Sequence, residues 1–129
     1  PGQHGRGTIL LRAGKACGIV FCHPTEKTVY IAGDTVWYKG VAETIRKYSP
    51  KVIVANTGAN RFLDSELLIM GKEDIYKLWK AVPTATLIAS HMEAVNHWTL
   101  SRKELSDFAL KHNFSERLLI PDDGQGYSL

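Results

Sequence analysis

The sequence has no uninterrupted apolar run near the roughly 20 residues that a membrane-crossing helix requires, so a helical span is not expected. It opens at Pro1 without the basic and apolar stretch of a secretory leader, and without a methionine. Position 1 is therefore expected to be a processing or cleavage point. Cysteine is scarce: only Cys17 and Cys22 are present. They lie an odd number of positions apart in a strand-like segment, and so point to opposite faces and should not bond to each other. Two unpaired thiols fit a reducing compartment, and a cytoplasmic location is expected. An excess of one charge is missing too. Sixteen basic residues against thirteen acidic ones leave a net charge of +3. The densest basic pairs, Arg46-Lys47 and Arg102-Lys103, share helical faces with Glu43 and Glu104, which reads as solvated surface rather than a phosphate-tracking stripe. Neither nucleic acid nor membrane is expected as a partner.

Repeats, linkers and low-complexity stretches are also absent, and 129 residues suit one domain spanning 1–129. What is present alternates between two rhythms. Thr8–Arg12, Cys17–His23 and Thr28–Gly33 read as strands, the last two joined through the turn-forming Pro24–Lys27. Val41, Ile45 and Tyr48 recur at helical spacing until Pro50. Val52–Asn56 and Ala85–Ser90 are short apolar strands of the buried kind. Between them a loop over Thr57–Met70 leads into a helix carrying Ile75, Leu78, Trp79 and Val82. Ser101-Arg-Lys-Glu104 is a capping box, and Leu105, Phe108, Ala109 and His112 continue its helix. Arg117–Ile120 is the final strand. The order β-β-β-α-β-α-β-α-β implies an α/β fold with mostly parallel pairing.

The residues just after the strands share one chemistry. Asp34-Thr35 follows one strand, Asn56-Thr57-Gly58 the next, Ser90-His91 a third, and Asp122-Asp123 comes after the last. The carboxyl ends of such strands are where open α/β sheets place ligands. A cation such as Zn²⁺ takes imidazole nitrogen and carboxylate oxygen from rigid supports, and one carboxylate can serve two ions. Taken alone, Asp34 is an ordinary turn residue; the convergence of polar strand ends favours a site.

Pro1-Gly-Gln-His-Gly5, Ala32-Gly-Asp-Thr35 and Ala89-Ser-His-Met-Glu-Ala-Val-Asn-His97 resemble successive motifs of the metallo-β-lactamase superfamily, over essentially the whole chain and in the same order. The similarity is to its branch of uncharacterised metal-dependent and lactonase-like hydrolases. The resemblance implies the C-terminal half of an αββα sandwich, with a mixed sheet covered by helices on one face. It implies a di-zinc hydrolase, other divalent metals being possible, acting on a small-molecule ester, lactone or phosphodiester. His4, Asp34 and His91 would be metal ligands, Asp34 bridging the ions and serving catalysis. From the residues themselves, Glu93 either caps the following segment or sits near the metals, and His97 reads as a loop or helix-start residue, with contact to substrate or to the groups around the ligands as the alternative. The superfamily's His-x-His-x-Asp-His motif does not occur in this sequence. On this resemblance it belongs to the other half of the sandwich, leaving this chain inactive when isolated. The expected partner is that N-terminal half, or a second copy giving an oligomer. The alternative from the residues alone is a non-catalytic α/β ligand-binding module using the same crevice.

Overall fold

The structure, a computed structural model, describes residues 1–63 and 65–129. Its elements run α1 (Ile9–Ala13), β1 (Ile19–Phe21), β2 (Val29–Ile31), α2 (Lys39–Tyr48), β3 (Val52–Asn56), α3 (Lys72–Ala81), β4 (Thr86–Ser90), α4 (Arg102–Lys111) and β5 (Leu118–Leu119). The five strands form one mixed sheet in the order β1-β2-β3-β4-β5. β1 pairs antiparallel with β2, and every other pair is parallel. From β2 onward each crossover steps to the next strand in the same direction. Crossovers of one hand then place α2, α3 and α4 on one face.

The two faces of the sheet differ. Val20, Tyr30, Ile53, Leu87 and Leu118 form one row across all five strands. Tyr30, Ile53, Leu87 and Leu118 are buried in the core cluster with Val41 and Ile45 of α2, Ile75 and Leu78 of α3, and Leu105 and Ala109 of α4, and Val20 packs against that cluster. The opposite row is equally apolar: Ile19, Ile31, Val54, Ile88 and Leu119. No helix covers it. Ile19 is 54% exposed and Ile31 38%, and Phe21 on the same face is 54% exposed. At one corner the chain returns, where Leu129 and the 25–27 hairpin line a hollow over Val29, Val52, Val54 and Ile88.

Helix ends follow local chemistry. At α4 the capping box is complete: Ser101 Oγ accepts from the Glu104 backbone N–H at 3.1 Å, and Ser101 N donates to Glu104 Oε2 at 2.9 Å. The Ser101 N–H, together with the Ser101 hydroxyl donating to Oε2 at 2.8 Å, holds the Glu104 carboxyl below the usual carboxylate range. α2 ends at Ser49, left-handed at φ 45°, whose N–H bonds the Ile45 carbonyl at 2.8 Å just before Pro50.

Two sequence expectations are corrected here. Thr8–Arg12 is not a strand; Ile9–Ala13 is a single helical stretch. It lies between Gly7 and Gly14, both at positive φ, so the segment turns at both ends and runs alongside no strand. Leu, Arg and Ala within it are good helix formers. The last strand is only Leu118–Leu119, because Ser115–Arg117 closes as a 3-10 turn. Cys17 and Cys22 are both exposed free thiols. Among the described residues no helix is long and apolar enough to cross a membrane.

Candidate metal centre

β2 runs into Gly33, left-handed at φ 69°, where a Cβ would press within 2.8 Å of the Cys17 carbonyl oxygen. That turn presents Asp34 at the carboxyl edge of the sheet. Asn56 closes the neighbouring strand, and its amide Nδ2 donates to Asp34 Oδ1 at 2.6 Å. The amide fixes the carboxylate through one oxygen and leaves Oδ2 free. Each carboxylate oxygen has two lone pairs, so the hydrogen bond does not block Oδ1 from a second partner.

His4 reaches the same point from the other end of the chain. The N-terminal segment lies along residues 34–36. Gln3 N donates to Thr35 Oγ1 at 2.9 Å, and Val36 N donates to the Gln3 carbonyl at 2.9 Å. Thr35 is fully buried and passes its own hydroxyl proton to the Val36 carbonyl at 3.0 Å. The result is His4 Nε2 at 4.0 Å from Asp34 Oδ2. Beyond the glycine turn at Gly5, Arg6 Nη2 binds both oxygens of Asp74, at 2.9 and 2.7 Å, and the Trp37 carbonyl at 3.3 Å. Asp74 is 3% exposed and also accepts from Trp37 N at 3.1 Å. A buried carboxylate needs such partners, and here they tie the His4 segment, the Asp34 turn and α3 together.

His91 follows β4. Asn56 pairs with Ser90 across the sheet, so Asp34 and His91 sit at one edge and flank the end of β3. Strands lie about 4.8 Å apart, which separates two positions on either side of one strand by roughly 10 Å. His91 is exposed and left-handed, at φ 56°. Its carbonyl oxygen packs against Gly58, where a Cβ would come within 2.7 Å. It borders a cleft shared with Arg102 and the 121–125 turn.

The other two candidates go elsewhere. Glu93 is an ion-pair partner of Arg102. His97 packs tilted against Phe62 with ring centroids 5.1 Å apart and planes at 32°, and its carbonyl accepts from Arg61 N at 3.2 Å. Thus the structure brings His4 and Asp34 together, puts His91 on the same edge, and leaves Glu93 and His97 in the loop beyond it. Sequence reasoning missed Asn56 as the group orienting Asp34, and missed Thr35, Arg6 and Asp74 as the frame around it. Only Asn56 carried a signal, being a polar residue at the end of an apolar strand.

The donor chemistry suits a zinc-like ion. Two ligands of one tetrahedral ion, each about 2.0–2.1 Å from it, lie about 3.3 Å apart, so the 4.0 Å His4–Asp34 separation would have to shorten by about 0.7 Å to hold one. The ligand count does not suffice. Among the described residues no three His, Cys, Asp or Glu side chains converge as a metal-holding group.

No family model matches the chain. It is 54% identical over 128 residues to UPF0173 protein YddR of Bacillus subtilis (strain 168), covering 98% of this chain and 50% of that protein. Solved structures are similar too. An isothiocyanate hydrolase from Delia radicum gut bacteria shares 45% identity at a TM-score of 0.89, over 96% of this chain and 51% of that one. A possible metal-dependent hydrolase from Veillonella parvula DSM 2008 shares 36% identity at 0.93, over 99% and 52%. The metallo-β-lactamase fold protein YhfI from Bacillus subtilis, 16% identical at 0.52 over 81% and 45%, shows likeness of fold alone. The chain spans about half the length of the relatives it matches.

Proposed function

This chain has the fold of the C-terminal half of the metallo-β-lactamase superfamily, and from that premise we propose that it supplies part of a binuclear metal centre in a hydrolase. The neighbours named as hydrolases support a hydrolytic activity, and one of them is named as metal-dependent. Asp34 would hold two Zn²⁺ or similar divalent ions, His4 one of them and His91 the other; when bound, such ions would supply Lewis-acid activation of water and of the bond to be hydrolysed. The contribution of this chain is positional. Asn56 holds the Asp34 carboxylate, the Gln3–Thr35 pairing holds His4 beside it, and the end of β3 spaces His91 from both.

The observation that carries this reading is the His4–Asp34 pair, 4.0 Å apart at the carboxyl edge that His91 shares. The remaining ligands come from the half of the relatives' length that this chain does not span. That half seats on the uncovered apolar row from Ile19 to Leu119. A second copy is the rival occupant. The substrate is a small molecule with an electrophilic centre, an ester, lactone or phosphodiester; one neighbour is named an isothiocyanate hydrolase, which supports a carbon electrophile.

The test uses a polypeptide of the relatives' length carrying this sequence. Asp34→Ala should abolish ester, lactone or isothiocyanate hydrolysis, a loss of about 10³-fold or more, while the circular dichroism spectrum stays unchanged. Retained turnover in that variant would remove Asp34 from the centre and leave the non-catalytic binding module as the better account.

A further inference from the structure

The segment that carries His91 is held in an uncommon conformation. His91 and Glu93 are both left-handed, at φ 56° and 57°, and neither is glycine. Such backbone persists only where its surroundings impose it. Two anchors are local: Met92 between them is buried, and the His91 carbonyl rests on Gly58. The third comes from outside the segment. Glu93 places its carboxylate at the N-terminus of α4, where Arg102 N donates to Oε1 at 3.3 Å and Arg102 Nη1 donates to Oε2.

Arg102 has other bonds. Its Nε donates to the Pro121 carbonyl at 2.9 Å, and Nη2 donates to Asp123 Oδ1. One guanidinium therefore ties the loop after β4 to the turn after β5, from a helix start already fixed by the Ser101–Glu104 capping box. Arg102 and Glu93 side chains are 23% and 29% exposed. An ion pair this open contributes little to global stability. Its effect is geometric: a planar fork with fixed donor directions sets where Glu93, and with it the backbone two residues earlier, can lie.

We propose that Arg102, acting through Glu93, is the positioning residue of His91: it locks the β4-end loop so that the imidazole meets the metal bound on that side of the centre. The inference rests on His91 being a ligand, and the experiment separates the two claims. It also predicts an asymmetry. The His4 side of the centre is framed by Thr35 and by Arg6–Asp74, which Arg102 does not touch, so only one of the two ions depends on it.

A polypeptide of the relatives' length carrying this sequence is titrated with Co²⁺ and with Zn²⁺, reading the visible cobalt spectrum and the affinity of each equivalent. Arg102→Gln and Glu93→Gln should each weaken one equivalent by about 10–100-fold and alter its spectrum, leaving the other equivalent and the thermal midpoint nearly unchanged. Arg102→Lys keeps the charge but not the fork, and should resemble Arg102→Gln rather than wild type. Adding Arg102→Gln to His91→Ala should produce no further loss at that equivalent, because the two act through one ligand. Unchanged affinities and spectra in both Arg102→Gln and Glu93→Gln would overturn the proposal. So would equal weakening of both equivalents together with a lowered midpoint, the mark of a general structural role. If His91→Ala itself leaves both equivalents intact, the ligand assignment falls and the positioning role falls with it.

Discussion

The two faces of this sheet are built from the same residue types and meet different surroundings. On one face Tyr30, Ile53, Leu87 and Leu118 are buried beneath α2, α3 and α4. On the other, Ile19 and Ile31 stand exposed beside half-buried Val54, Ile88 and Leu119. A five-strand row of β-branched and aliphatic side chains facing water is rare in a monomer, and contiguous exposed apolar area of this kind marks an interaction surface. The sequence thus builds one covered core and one open apolar face among the described residues. The same division runs through the proposed metal centre. One flank, His4 and Asp34, is framed within the chain, while the ligand count of the whole is left short.

The comparison breaks most visibly at neighbouring positions on β3. Ile53→Ala, on the covered face, should cost about 2–5 kcal/mol in urea unfolding of the isolated chain. Val54→Ala, one residue on and facing the open side, should cost under about 1 kcal/mol there and more once the remaining half is present. Equal costs in the isolated chain would mean that the open face is already covered. Sedimentation of the isolated chain at micromolar concentration should likewise show association, and Phe21→Lys together with Ile31→Lys should reverse it. A well-behaved monomer in the unsubstituted chain would contradict the interaction surface.

Asp74→Ala tests the framed flank. It strips Arg6 of its partner and leaves the Trp37 N–H unmatched, a loss of roughly 1–3 kcal/mol. Binding of the ion next to His4 should weaken while the His91 side does not. A variant with full stability and unaltered metal affinity would show that the Arg6–Asp74 link frames nothing. At α4, Ser101→Ala should cost about 1 kcal/mol. The smallest effect is that of pH. Because the Glu104 carboxyl is depressed, its contribution is present above the ordinary glutamate pKa and is lost as pH falls through the lowered value. The stability difference between wild type and Glu104→Gln should therefore vanish in acid.

Much of this was legible because it is local. The apolar runs of β3 and β4, the periodicity of Val41 and Ile45, and the Ser101–Glu104 box each lie within a few residues, and all were found where expected. Asp34 and His91 were placed on one edge because each directly follows a strand. What escaped is long-range or depends on surroundings. The Arg6–Asp74 pair joins residues 68 positions apart with no shared periodicity. Ile9–Ala13 has the composition of either element, and its flanking glycines decided for a turn of helix. Glu93 reads equally as a cap of the following segment or a group near the metals, and the fold decides for the cap, with Arg102 N at the start of α4 donating to its carboxylate.

The central claim is that this chain holds part, and only part, of a binuclear centre. Calorimetric titration with Zn²⁺ tests it directly, comparing the isolated 129-residue chain with a polypeptide of its relatives' length. The account predicts two tightly bound equivalents in the longer protein, at least one of them lost in Asp34→Ala, and binding weaker than about micromolar in the isolated chain, where each ion lacks ligands. Stoichiometric micromolar binding by the isolated chain, or two equivalents undisturbed by Asp34→Ala, would contradict it.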